Sequence, residues 1–166
     1  SPRPVFHDGH FIIVTGFSNV AEMMSVKAGG SGVVTDTHVA WRFDKTFPKY
    51  SSPILVDDLV YFAMDDSFLV CAEAKTGKIV WKGRAGGKYR ASPIHADGRL
   101  YFFNLEGVTT VIEPGREFKV LATNQLATDE PNDDPRRGPG FVASPAVVGK
   151  AMFLRTRHHL YRIESE

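Results

Sequence analysis

Four times along this chain of 166 residues, a proline preceded by Ser or Arg is followed by a polar turn and a short apolar run. The units are Arg3-Pro4 to Val14, Ser52-Pro53 to Met64, Ser92-Pro93 to Phe103 and Ser144-Pro145 to Leu154. A unit that recurs every ~40–50 residues marks a repeat architecture, in which each copy is one supersecondary element that buries its surface only against its neighbours. The second unit shows the plan. Ser51–Val56, Leu59–Met64, Phe68–Glu73 and Lys78–Arg84 are short β-rich runs, separated by turns at Asp57-Asp58, Asp65-Asp66-Ser67 and Lys75-Thr76-Gly77. Four short strands joined by tight polar turns form a meander. The third unit repeats it with Ala91–His95, Arg99–Phe103, Val108–Ile112 and Phe118–Ala122.

Proline cannot donate a ladder hydrogen bond, so it suits a strand start, and it stands at that place in every unit. The second runs, Leu59–Met64, Leu100–Phe103, Phe11–Val14 and Ala151–Leu154, are apolar without alternation. A strand with one wet face alternates, so a continuous run implies sheets on both sides. Meander sheets stacked face to face around an axis make a β-propeller, whereas a sandwich covers one face only. The expected fold is therefore all-β: a partial β-propeller of about four blades, the last three-stranded. It forms one domain over 1–166, with blades at about 1–45, 46–87, 88–126 and 141–166 and an inserted loop at 127–140. Asn19–Lys27 has a helix-like cap pattern, but by alignment from Pro4 it falls on a third strand and is read as one.

Bulk properties exclude several classes. Lys+Arg is 20 and Asp+Glu is 19, a formal net charge of +1, which gives no case for nucleic acid or a membrane surface. No apolar stretch approaches the length of a membrane span. A single cysteine, Cys71, rules out an intrachain disulfide and a cysteine-rich metal site.

Cys71-Ala-Glu-Ala-Lys-Thr-Gly-Lys-Ile-Val-Trp81 resembles the tryptophan-docking motif of the pyrroloquinoline-quinone-type (PQQ-like) β-propeller repeat family, Ala-x-Asp-x-x-Thr-Gly-x-x-x-Trp. Thr76, Gly77 and Trp81 match it; Cys71 and Glu73 replace Ala and Asp. Trp41 supplies a second tryptophan, set further from its proline by the glycine-rich stretch 28–37. In the third unit Leu121 stands at the tryptophan position. The resemblance implies that Trp41 and Trp81 pack between blades against the Thr76-Gly77 type of turn. It implies a non-enzymatic, BamB-like branch, a periplasmic or extracellular setting, and a ring of seven or eight blades. This chain is then expected to be a C-terminal part of a longer protein, with homo-association through its open blade faces.

The family's dehydrogenases, as the resemblance implies, hold their quinone with adjacent cysteines, a tryptophan, and Glu/Asn/Asp around calcium. One cysteine and no such cluster are present, so no cofactor and no metal is expected. His158-His159 on a strand would point to opposite faces and are read as a turn pair. The polar stretch Asp129–Gly140 lacks calcium-loop spacing and is read as a solvated or disordered loop. Ala28–Gly32, glycine-rich and read as preceding a strand, is expected to be a flexible turn, because a phosphate cradle would precede a helix and end in Gly-Lys-Ser/Thr.

The loops from outer to next inner strand share one face. Lys49, Tyr50, Lys88, Arg90, Arg136 and Arg137 fall there, with Arg157 in a turn on the same side, as a basic rim for a protein partner, peptide or glycan. The expected function is a non-catalytic scaffold for protein–protein or ligand binding. The alternative is part of a quinoprotein dehydrogenase whose cofactor site lies in other blades.

Overall fold

The computed structural model of the protein describes residues 2–16, 21–126 and 140–164. Four antiparallel sheets follow one another along the chain. The first holds β1 (Val5–His7), β2 (His10–Thr15), β3 (Glu22–Lys27) and β4 (Val39–Phe43), with the short α1 (Thr35–His38) leading into β4. The second holds β5 (Ile54–Val56), β6 (Leu59–Ala63), β7 (Phe68–Glu73) and β8 (Ile79–Arg84). The third holds β9 (Ile94–Ala96), β10 (Arg99–Phe103), β11 (Val108–Ile112) and β12 (Val120–Gln125). The fourth is three-stranded among the described residues: β13 (Ala146–Val148), β14 (Ala151–Arg155) and β15 (Leu160–Glu164). Within each sheet, neighbours in sequence are neighbours in space, which is the blade topology of a partial β-propeller.

The inner hairpins explain the repeated turn. Asp8, Asp57 and Asp97 take φ of 44°, 52° and 49°. Aspartate tolerates the left-handed region, and two-residue turns of this hand match the twist of the flanking strands.

The core lies between blades. In β6, Val60 and Phe62 join Ile12, Met23 and Trp41 of the first sheet. Leu59, Tyr61 and Ala63 join Leu100, Phe102 and Ile112 of the third. Side chains on a strand alternate between faces, and here both faces meet a sheet, so every residue of β6 is buried. Each large side chain so buried contributes about 1.5–3 kcal/mol. Blades with one packed neighbour differ. β2 buries Ile12 fully but leaves Phe11 44% exposed, and β14 is only partly covered. The unbroken apolar run therefore means two covered faces in the second and third blades, the latter packing Leu100 and Phe102 on the second sheet and Tyr101 and Phe103 on the fourth.

Several boundaries depart from expectation. β1, β5, β9 and β13 are three residues each, shorter than the runs read around each proline. β12 begins at Val120 rather than Phe118, because the Phe118 ring turns back onto Trp81, 5.0 Å between centroids, over Gly83. A β-carbon on Gly83 would stand 2.3 Å from that ring, so the close approach requires glycine. Ala28–Gly32 leads into a strand only by way of the single turn α1, which begins at Thr35. Glu22–Lys27 is a strand, paired to both β2 and β4.

Candidate functional site

The serine before each proline has a use that its strand position does not reveal. The N–H of Arg3 donates to Ser52 Oγ at 2.8 Å, Ser52 N–H to Ser92 Oγ at 2.9 Å, and Ser92 N–H to Ser144 Oγ at 3.0 Å. Each inner strand thus starts by donating to the side chain of the next blade's serine. These bonds run from blade to blade beside the packed first strands β1, β5 and β9, close to the propeller axis. They replace ladder bonds at those residues, which is why the inner strands begin later than the prolines.

A second set of contacts joins the blades farther out. Trp41 Nε1–H donates to Ala74 O at 2.9 Å, and its indole lies over Gly77. Trp81 Nε1–H donates to Gly115 O at 3.0 Å, while Gly115 N–H donates to Tyr61 Oη at 2.8 Å. Burial holds both Tyr61 and Cys71 in their protonated forms, the thiol pushed up to about 12. Thr76 donates to Glu73, and Arg116 of the third blade pairs with the same carboxylate. Those hydrogen bonds, the Arg116 one first, hold Glu73 below the ordinary carboxylate range.

The face that carries the loops between blades is cationic. Arg90 lines a cavity of about 670 Å³ together with Val142, Ala143, Arg155 and Arg157. It also lines a cavity of about 460 Å³ with Arg3, Tyr50, Ser52, Ser92 and Ser144. A third, of about 270 Å³, adds Asp65, Lys88, Tyr89 and Leu105 around the same Arg90. The guanidinium stands 5.0 Å from the centre of the Tyr50 ring, a cation–π contact, while Tyr50 stays 46% exposed. Lys49 lies apart from these cavities and faces Asp65 at 3.9 Å. Burial raises Asp65 above its ordinary value, Lys49 and Arg90 pull it back, and its Oδ1 is buried without a hydrogen-bond partner.

The structure therefore brings Tyr50, Lys88, Arg90 and Arg157 into one trough, while Arg136 and Arg137 lie outside the described residues, as do 129–134. Arg3 and Arg155 join the trough without having been singled out from the sequence. Both carried a signal. Arg3 replaces serine in the serine-proline motif, and Arg155 stands where the aligned second strands have Ala63 and Phe103. His158 and His159 sit in the exposed turn after β14, where Thr156 N–H donates to His159 O at 2.9 Å. Among the described residues no group of three or more His, Cys, Asp or Glu is placed to hold a metal ion.

A family model described as the outer membrane protein assembly factor BamB matches residues 28–115, just over half of the chain. The chain belongs to the PQQ-like β-propeller repeat family. The matched stretch runs from the glycine-rich segment through Trp41, Trp81 and the Gly115 turn, the parts of this PQQ-like chain that lock two interfaces together. BamB from Moraxella catarrhalis superposes with a TM-score of 0.66 at 14% identity, over 94% of this chain and 43% of that one. The quinohemoprotein alcohol dehydrogenase ADHIIG from Pseudomonas putida HK5 gives 0.64 at 15%, over 91% and 27%. A europium-containing methanol dehydrogenase gives 0.56 at 9%, over 72% and 23%. At these identities the likeness shows the fold, and the chain spans less than half the length of each of these structures. No curated protein matches the sequence.

The PQQ-like fold raises the question of a quinone, and the residues present do not fit one. Cys71 is fully buried within β7, and both tryptophans are turned into blade interfaces with their N–H groups engaged. No helix among the described residues is long and apolar enough to cross a membrane.

Proposed function

We propose that this PQQ-like chain is a non-catalytic propeller scaffold that binds a protein partner or ligand on its axial, loop-bearing face, in a periplasmic or extracellular setting. The observation that carries the proposal is the position of Arg90, which lines three adjoining cavities with Arg3, Lys88, Arg155 and Arg157 around it. Within that trough the described anionic side chain is Asp65, held above its ordinary value by burial. Convergent guanidinium groups on a rigid scaffold suit recognition of an anion more than bond-making chemistry. The family match to an assembly factor supports the scaffold reading and the extracytoplasmic setting.

A second reading is part of a quinoprotein dehydrogenase, favoured by the likeness to the alcohol and methanol dehydrogenases. Its cofactor site would lie outside this chain. Adding quinone and calcium and following dye reduction with alcohols separates the two. The scaffold reading expects no turnover above the uncatalysed rate, and alcohol-dependent reduction would establish the second.

A further inference from the structure

We infer, resting on the scaffold reading above, that the axial cavity between Arg3 and Arg90 binds a tetrahedral oxyanion: phosphate or sulfate, free or as the terminal group of a small ester.

This cavity of about 460 Å³ is walled by hydrogen-bond donors. Arg3, Arg90, Ser52, Ser92 and Ser144 surround it with Tyr50 and Val142, and no carboxylate is among its walls. The three serine Oγ atoms each accept a backbone N–H from the preceding blade, at 2.8, 2.9 and 3.0 Å. Each bond fixes an oxygen and leaves its O–H proton unspent. Among the described residues none of the three hydroxyls donates a hydrogen bond. The guanidinium groups are unspent as well. Arg90 stands over Tyr50, yet among the described residues neither Arg3 nor Arg90 forms a side-chain hydrogen bond or a close ion pair. Asp65, which acts on Arg90 through space, lines the neighbouring cavity of about 270 Å³ and not this one.

The number and charge of these donors select the ligand. A hydroxyl donates one hydrogen bond and a guanidinium a whole fork of them, more than the oxygens of a single carboxylate accept. A phosphoryl or sulfuryl group presents more acceptor oxygens, and its charge of about −2 offsets both cations. The serines are held by the backbones of three successive blades, so their hydroxyls stand in place before a ligand arrives and little ordering is needed. Tyr50, 46% exposed in the wall, leaves ring surface beside the anion for the organic part of an ester.

Isothermal titration calorimetry of the 166-residue chain with sodium phosphate, sodium sulfate, phenyl phosphate and sodium acetate tests this. Phosphate and sulfate should bind at a single site, at least about tenfold tighter than acetate, and weaken as sodium chloride rises from about 50 to 300 mM. Arg3→Gln, at an exposed position, and Arg90→Gln should each weaken phosphate about tenfold, the first with an unchanged melting curve. Ser144→Ala should weaken it about threefold, and Ser144→Thr, which keeps the hydroxyl, should restore it. Lys75→Gln removes the same charge from an exposed outer turn and should leave binding unaltered. Phenyl phosphate binding tighter than phosphate would assign the site to an ester, and the reverse order to the free ion. No binding of either dianion by the folded chain, acetate binding as tightly as phosphate, or binding indifferent to both Arg3 and Arg90 would overturn the oxyanion site. If polyglutamate then still shifted the axial-face amides, the scaffold reading would stand without it. Quinone-dependent turnover would overturn the scaffold reading itself.

Discussion

The Trp41 indole fills the space that a side chain on Gly77 would need: a β-carbon there would stand 2.7 Å from the indole Cγ. Gly77 also has φ of +71°, so two constraints meet at one residue. Gly77→Ala is expected to destabilise the chain by about 2–4 kcal/mol, combining overpacking with left-handed strain. Gly98 has φ of +66° but open space around its missing β-carbon, so Gly98→Ala should cost only about 1 kcal/mol. Urea unfolding of the two variants reads the difference. Equal costs would mean that the Trp41 contact contributes nothing.

The serine chain gives a second prediction. Ser92→Ala removes the acceptor for Ser52 N–H in a partly buried position, at a cost of about 0.5–1.5 kcal/mol. Hydrogen exchange at the Ser52 amide should accelerate, while amides in β7 stay protected. An unchanged Ser52 amide would show that this bond does not hold the inner strands.

Glu73 gives a pH dependence. Its folded value lies below the ordinary 4.5, with Arg116 as first cause. A carboxylate depressed in the folded state adds stability above its unfolded value and loses it as pH falls through the folded one. The melting temperature of Glu73→Gln should therefore lie below wild type at pH 7, with the gap closing as pH falls below about 4. A gap independent of pH would point to a packing effect instead.

The outer faces of the first and fourth blades carry exposed apolar side chains. Phe6 is 57% exposed against Phe11, and Val148 and Leu160 are 68% and 69% exposed. Such faces favour association. Light scattering is expected to show a mass that grows with concentration, reduced by Phe11→Lys combined with Leu160→Lys. A wild-type monomer at high concentration would contradict this.

Much of the fold was legible because its cause is local. Proline at each inner strand and the unbroken run Leu59–Met64 reflect backbone and burial rules that act residue by residue. Alignment to Pro4 places Asn19–Lys27 on a strand even though the local cap pattern suggests a helix, and within it Glu22–Lys27 is a strand. The axial site was legible only in part. Tyr50, Lys88, Arg90 and Arg157 were named from the loop register, yet Arg3 and Arg155 were not. Their side chains meet the trough only once blades are arranged about an axis. The serine-to-serine bonds were hidden for the same reason, since each joins residues of different blades. Phe118 was assigned to a strand because nothing in its own segment shows that it packs on Gly83 and Trp81.

The most direct test of the central claim, that the axial face is the binding surface, is amide chemical-shift mapping of the labelled chain during titration with short polyglutamate as an anionic probe. The account predicts that shifts concentrate at Tyr50, Lys88, Arg90, Val142, Arg155 and Arg157. Shifts confined to the outer edge strand β12, or to the exposed face of the first blade around Phe6 and Phe11, would contradict it.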